Sequence, residues 1–277
     1  MLAGLCGCHL DSYQSEAERT MIYRIAKLRD NAEVVLVGCG GTGGYVAEGL
    51  CRLLRQGQRL ILVDPDRVEE RNLARQNFYR EEIGKYKSQA LAERFARQFE
   101  REIGYCVHPY SDNLVTEVLT NFGRKVGHDL IIGCVDNADA RRAIAEGIMT
   151  GWWIDAGNGF NSGQILVGNA RKKMGGGGFV KSEGIIRYLP LPTVQQPELL
   201  MAAEKREKSC SEEPEQGPVI NRVMADLVLQ FVWLLMRGEL RWMAAYVDLG
   251  AGTLNCIEAT PRVVAQMLEL PERELVS

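Results

Sequence analysis

Gly38, Gly40 and Gly43 stand at the spacing G-x-G-x-x-G directly after the apolar run Val34-Val-Leu-Val37, in a stretch that also holds Gly41 and Gly44. Glycines so placed permit a tight turn, close approach of the backbone to an anion, and tight packing of a helix on a strand. A helix starting there offers unpaired N–H groups and the positive end of its dipole, so the chemistry implied is phosphate binding. The next apolar run, Arg59-Leu-Ile-Leu-Val63, ends in Asp64. A carboxylate about 20 residues beyond the glycines is where a nucleotide-binding βαβ unit holds a ribose.

Two further clusters extend this chemistry. The segment from Asp64 to Asn77 is denser in polar and charged side chains than a connection needs, and it includes Asp66, Asn72, Arg75 and Gln76. The run Asp129-Leu-Ile-Ile-Gly-Cys134 reads as a buried strand and delivers Asp136 and Asn137 at its end. In open α/β folds ligands bind at the carboxyl ends of the strands, so both clusters belong at one edge.

The elements that must position these residues follow from periodicity. Tyr45, Val46, Leu50, Leu53 and Leu54 mark a crossover helix between the first two strands. Helical patterns over 87–99, 114–122 and 138–149 alternate with strand patterns at 105–109, 129–134 and 152–156. That rhythm predicts a Rossmann-like, doubly wound, mostly parallel sheet over about residues 30–160. Further on, 163–168 reads as a strand, Pro218 starts a helix that Gly238 stops, and strands near 243–248 and 253–258 precede a short helix from Pro261. These later strands would add antiparallel pairs in the C-terminal part. Four parts are expected: an N-terminal helical segment over 1–30, the nucleotide-binding part over 31–170, a flexible crossover loop over 171–217, and a helix and strands over 218–277 completing the same domain. The helix in the first part rests on Ser15-Glu-Ala-Glu18 and on Met21, Ile22, Ile25 and Leu28.

Composition narrows the class. The 277 residues are 46% hydrophobic with a formal charge of −3, which supplies a sizeable core and no general basic field for nucleic acid. The eight cysteines, at 6, 8, 39, 51, 106, 134, 210 and 256, include no Cys-x-x-Cys pair, as expected of reduced thiols in a cytoplasmic protein. No basic, apolar leader opens the sequence, and Leu227 to Met236 is shorter than the roughly 20 residues a bilayer requires, so no membrane partner is expected.

Taken together, Gly-x-Gly-Gly-x-Gly at 38–43, Asp64-x-Asp66, Asn72-Leu-x-Arg-Gln76, Gly84-x-x-Lys87, and Cys134-x-Asp-Asn137 with Arg141 resemble the ubiquitin-activating-enzyme-like adenylating family of ThiF, MoeB and HesA. Within it they resemble most the ThiF-family proteins of bacterial PRTRC systems. The resemblance covers about residues 30–240 and implies ATP-dependent adenylation of the C-terminal glycine of a ubiquitin-like or sulfur-carrier (β-grasp) protein, by an enzyme that forms a homodimer. It implies that ATP lies over Gly38, Gly40, Gly41 and Gly43, that Asp64 holds the ribose, and that Asn72, Arg75 and Lys87 neutralise the phosphates. Asp136 would hold Mg²⁺, with Asp66, Gln76 and Asn137 beside the nucleotide. Cys210 would accept the activated glycine as a thioester, and Arg19 or Arg24 would reach across a dimer.

Other readings stand beside these. Asp66 and Asn77 also suit turn caps, Arg141 a surface helix, and Lys85 competes with Lys87. The chain lacks the paired Cys-x-x-Cys motifs of zinc-bearing members. An NAD-dependent oxidoreductase would share the glycine turn and Asp64 but leave Asn72, Arg75, Lys87 and Asp136 without a task. A catalytically idle scaffold and a small-molecule or tRNA-base adenylating relative are the remaining alternatives.

Overall fold

The computed structural model describes residues 21–111, 129–148, 151–170, 178–201 and 217–277. Its centre is an eight-stranded sheet in the order β11-β10-β7-β6-β5-β2-β3-β4. The strands are β2 (Glu33–Val37), β3 (Arg59–Val63), β4 (Ile103–Cys106), β5 (Leu130–Gly133), β6 (Trp152–Asn158), β7 (Ser162–Gly168), β10 (Trp242–Asp248) and β11 (Thr253–Glu258). Strands β6, β5, β2, β3 and β4 run parallel. Strands β7, β10 and β11 continue the sheet antiparallel.

Burial explains this division. All five residues of β2 and all four of β5 are buried, and after Glu33 they form the continuous apolar runs of strands covered on both faces. Two apolar clusters lie on the two faces of these strands. Val34 and Leu36 belong to one, with Leu60, Leu62, Leu130 and Ile132, and Val35 and Val37 belong to the other, with Ile61, Val63 and Ile131. The chain leaves β2 toward β3 and β4, then returns to add β5 and β6 on its other side. The glycine turn therefore sits where the strand order reverses, the place where such sheets open a crevice.

Helix α1 (Gly41–Leu53) follows β2, α2 (Lys87–Phe99) joins β3 to β4, and α3 (Ala138–Gly147) joins β5 to β6. After the one-turn helix α4 (Pro192–Gln195), the long helix α5 (Pro218–Arg237) buries Ile220, Met224, Val228, Phe231 and Leu235, and α6 (Pro261–Leu268) follows β11. By length and composition α5 would suit a bilayer, yet half of it is packed inside the protein. Gly238, at φ 68°, ends it with its N–H on the Leu234 and Leu235 carbonyls.

Two expectations are corrected. The described part of the N-terminal segment is not helical. Arg24–Ile25 form β1, parallel to β9 (Ile185–Ile186), which pairs with β8 (Phe179–Val180) in a small second sheet. Tyr23 and Ile25 are buried while Ile22 and Arg24 are exposed, a period of two that the helical reading of 21, 22, 25 and 28 obscured. Likewise 178–201, expected within a flexible loop, is packed structure that buries Phe179, Ile186, Leu189 and Leu191. The expected helices over 15–20 and 114–122, and the stretch around Cys210, lie outside the described residues.

Candidate active site

The carboxyl ends of β3, β2, β5 and β6 open into one cleft of about 1310 Å³. Its walls include Gly38, Gly40, Gly41, Asp64, Asp66, Asn72, Arg75, Gln76, Lys87, Asp136 and Asn137. Sequence positions up to about 100 apart are thus brought to one sheet edge. Gly43 lies beneath the cleft, where a Cβ would strike the Gly38 carbonyl oxygen, so its role is close packing of α1 on the turn. Gly38 has φ +88°, and a Cβ there would meet the Cys134 carbonyl.

Asp64 is the most constrained carboxylate of the cleft. Its Oδ2 accepts the Cys39 backbone N–H at 2.6 Å and its Oδ1 accepts the Asp66 N–H at 2.8 Å. Burial pushes its carboxyl above the usual range, and the Lys87 ammonium together with those two N–H groups pulls it back. Lys87 opens α2, where a cation opposes the helix dipole. Its Nζ lies 2.9 Å from Asp66 Oδ2, so Asp66 serves as the partner of the lysine. Next to it, the fully buried Ser88 Oγ lies 3.0 Å from the Asp64 carbonyl and 2.9 Å from the Cys106 carbonyl, tying α2 to β3 and β4. Lys85, the rival lysine, is instead paired with Glu93 at 2.9 Å.

The other polar residues are held by short-range backbone bonds. Asn72 Oδ1 accepts the Glu69 N–H at 2.9 Å, which leaves its NH₂ as the end that donates. Asn137 caps α3, its Oδ1 accepting the Ala140 N–H at 2.8 Å. Asn77, weighed as a turn cap, donates instead to the Gly44 carbonyl at 3.3 Å. Gln76 is buried beside Gly40. Asp136 is exposed, with the Asn137 amide 3.5 Å from its carboxylate. Among the described residues no three of His, Cys, Asp and Glu gather as a metal cage. One open carboxylate still fits Mg²⁺, which is commonly held by one or two carboxylates plus substrate phosphates.

Reading the sequence gave no site role to Asp155, Thr42, Asn158, Asn221 or Tyr110 and misplaced Arg141. Arg141, weighed as a surface residue, is buried, and its Nε lies 3.2 Å from both carboxylate oxygens of the fully buried Asp155. An aspartate inside the apolar run of β6 was the available signal. Thr42 Oγ1 bonds Asn158 Oδ1 at 2.9 Å, and Asn158 Nδ2 donates to Asn221 Oδ1 at 3.0 Å. Asn221 in turn donates to the Arg75 carbonyl at 3.3 Å, and it is a fully buried amide in an apolar helix. Tyr110, with Pro109, lines the cleft near β4.

A doubly wound sheet with a glycine turn, a buried carboxylate and clustered cations at its switch point defines a Rossmann-like nucleotide-site architecture. The ThiF family model matches residues 18–187, and the chain belongs to that family. It is 33% identical over 153 residues to ubiquitin-like modifier-activating enzyme 5 of Dictyostelium discoideum, covering 50% of this chain and 38% of that protein. The rat enzyme of the same name is 36% identical over 126 residues, 43% of this chain and 30% of its own. The chain thus spans well under half the length of these relatives. Among solved structures, PaaA superposes with a TM-score of 0.58 at 16% identity, and E. coli MccB with ATP with 0.55 at 17%. Each match covers 83% of this chain and 64% of the other, and they show the shared fold.

Proposed function

We propose that the chain uses ATP to adenylate the C-terminal carboxylate of a small ubiquitin-like or β-grasp protein ending in glycine. The observation that carries this reading is the gathering of the glycine turn, Asp64, Arg75, Lys87 and Asp136 in one cleft. Kinship with enzymes named for activating ubiquitin-like modifiers supports it. The cleft, about 1310 Å³, exceeds the roughly 300–1,000 Å³ of an ordinary small-molecule pocket, leaving room for a nucleotide and the end of a second substrate.

In the reaction a carboxylate oxygen bonds to the α-phosphorus and the bond from that phosphorus to the bridging oxygen breaks. Pyrophosphate leaves with the electron pair, and no proton moves. No general base is needed, because a C-terminal carboxyl is ionised near neutral pH. What the protein must supply is position and positive charge. The N–H groups at the start of α1 face the phosphates, and Asp64 holds the ribose. Asn72 donates from its NH₂, and Arg75 and Lys87 offset charge on the departing pyrophosphate. Asp136 would hold Mg²⁺, which adds charge neutralisation on the phosphates.

The test is a pair of titrations with ATP and NADH, followed by pyrophosphate exchange with a small protein ending in Gly-Gly encoded beside this gene. ATP binding and carrier-dependent exchange are expected. Tight NADH binding without ATP binding overturns the reading in favour of an oxidoreductase.

A further inference from the structure

We infer that Arg141 is the receptor for the carrier's C-terminal carboxylate and that Asp155 is the buried positioning residue that aims it. The inference rests on the adenylation reading and assigns the second substrate's place within the same cleft.

The carboxyl edge of the sheet sets the order of groups. Asp64 ends β3, the glycine turn ends β2, Asp136 follows β5, and Gly157 and Asn158 lie on β6. A nucleotide with its ribose at Asp64 and its phosphates at the glycine turn and Asp136 occupies the β3, β2 and β5 width. The β6 end remains, and Arg141 is the cationic side chain that lines it.

Arg141 is built to receive an anion. Asp155 engages it through Nε alone, 3.2 Å from each carboxylate oxygen. The two Nη groups make no hydrogen bond among the described residues, so four N–H donors of a residue that is only 8% exposed are left for an acceptor entering the cleft. A carboxylate matches the fork they form. Gly157 leaves space beside the guanidinium, since a Cβ there would lie in tight contact, 3.1 Å from Nη2. Asp155, fully buried, contributes orientation and contacts no substrate, while on the adenylation reading Lys87 and Arg75 serve the phosphates. The groups facing Asp155 among the described residues are the Arg141 guanidinium and the Cys134 thiol at the end of β5.

The experiment uses the full chain with the non-hydrolysable analogue AMPCPP bound. Two hexapeptide probes ending in Gly-Gly are titrated, one with a free C-terminal carboxyl and one amidated, from pH 5 to 8. Wild type should prefer the acid about tenfold at pH 7.5 and lose the preference as the pH falls through about 6, where Asp155 takes up a proton. Arg141→Gln should remove the preference while AMPCPP affinity stays within about twofold. Asp155→Asn, which keeps the side chain's shape, should weaken the preference and abolish its pH dependence, and Arg141→Lys should restore part of it. Loss of AMPCPP affinity in Arg141→Gln would instead make Arg141 a phosphate ligand and overturn the assignment. So would a wild type that binds AMPCPP but treats acid and amide alike, by binding both or neither. If wild type does not bind AMPCPP at all, the adenylation reading itself fails, and this assignment with it.

Discussion

Asn221 of α5 occupies the space that a side chain at Gly41 of α1 would need, since a Cβ on Gly41 would run into the Asn221 amide. Eight residues along both helices the contact recurs, with a Cβ at Gly49 meeting Leu229, so α1 and α5 run side by side in one direction. The start of the helix at the glycine turn is therefore set by a residue about 180 positions away. Gly41→Ala should cost about 1–3 kcal/mol by overpacking, and Asn221→Ala a similar amount by removing the amide that bonds the Asn158 Nδ2 and the Arg75 carbonyl. In the double variant the alanine at 41 enters vacated space. Urea unfolding should then show a coupling of about 0.5–3 kcal/mol in the favourable direction, and strict additivity would contradict the packing.

Lys87→Met should lower the rate of pyrophosphate exchange by about 10²–10³-fold, the usual effect of losing one preorganised donor at a charged transition state. It should also change the pH dependence of stability. Asp64 sits above the usual carboxylate range in the folded chain, and without Lys87 it rises further. A raised folded value gives stability that is fully present below the unfolded value and lost as pH rises through the folded one. The deficit of the variant relative to wild type should therefore grow between pH 4 and pH 8. A constant deficit would show that Lys87 does not bear on Asp64.

Asp155→Asn should trade function for stability. Burial holds the carboxyl at about 6 in spite of Arg141, so the wild type loses stability as pH rises from about 4 to about 6. The asparagine does not titrate. Relative to wild type the variant should gain on the order of 2–3 kcal/mol across that interval and match it near pH 4. Denaturant midpoints at pH 4, 5.5 and 7.5 check the sign, and a variant that loses ground as pH rises would refute it.

In the sequence Cys210 is flanked by Lys205, Arg206 and Lys208 and by Glu207, Glu212 and Glu213. If it accepts the activated glycine, its sulfur attacks the acyl carbon, AMP leaves, and the thiol proton is released to solvent. Wild type incubated with ATP and the carrier should yield a conjugate that thiols cleave, and Cys210→Ala should yield none. Equal conjugate in both, or exchange activity without any conjugate in wild type, removes Cys210 from the pathway.

The sequence by itself determined the sheet's parallel half and much of the cleft's lining. Those signals are local: 34–37 and β5 are apolar because both faces are covered, the glycines and Asp64 directly follow strands, and Asp136 comes three residues after one. It also delimited Lys87–Phe99 as a helix, and that helix has those ends. Pairing between distant segments decided the rest. Arg24–Ile25 is a strand because Ile185–Ile186 offers it an edge and Leu240 accepts the Ile25 N–H at 2.8 Å, partners that no helical period reveals. Arg141 is a buried half of an ion pair because β6 carries Asp155 beneath α3, and Asn221 reaches Thr42, Asn158 and Arg75 because α5 packs along α1. A polar residue in an apolar pattern marks a cost that must be met. Which group meets it, from which element and at what distance, is fixed when the tertiary structure brings the partner there.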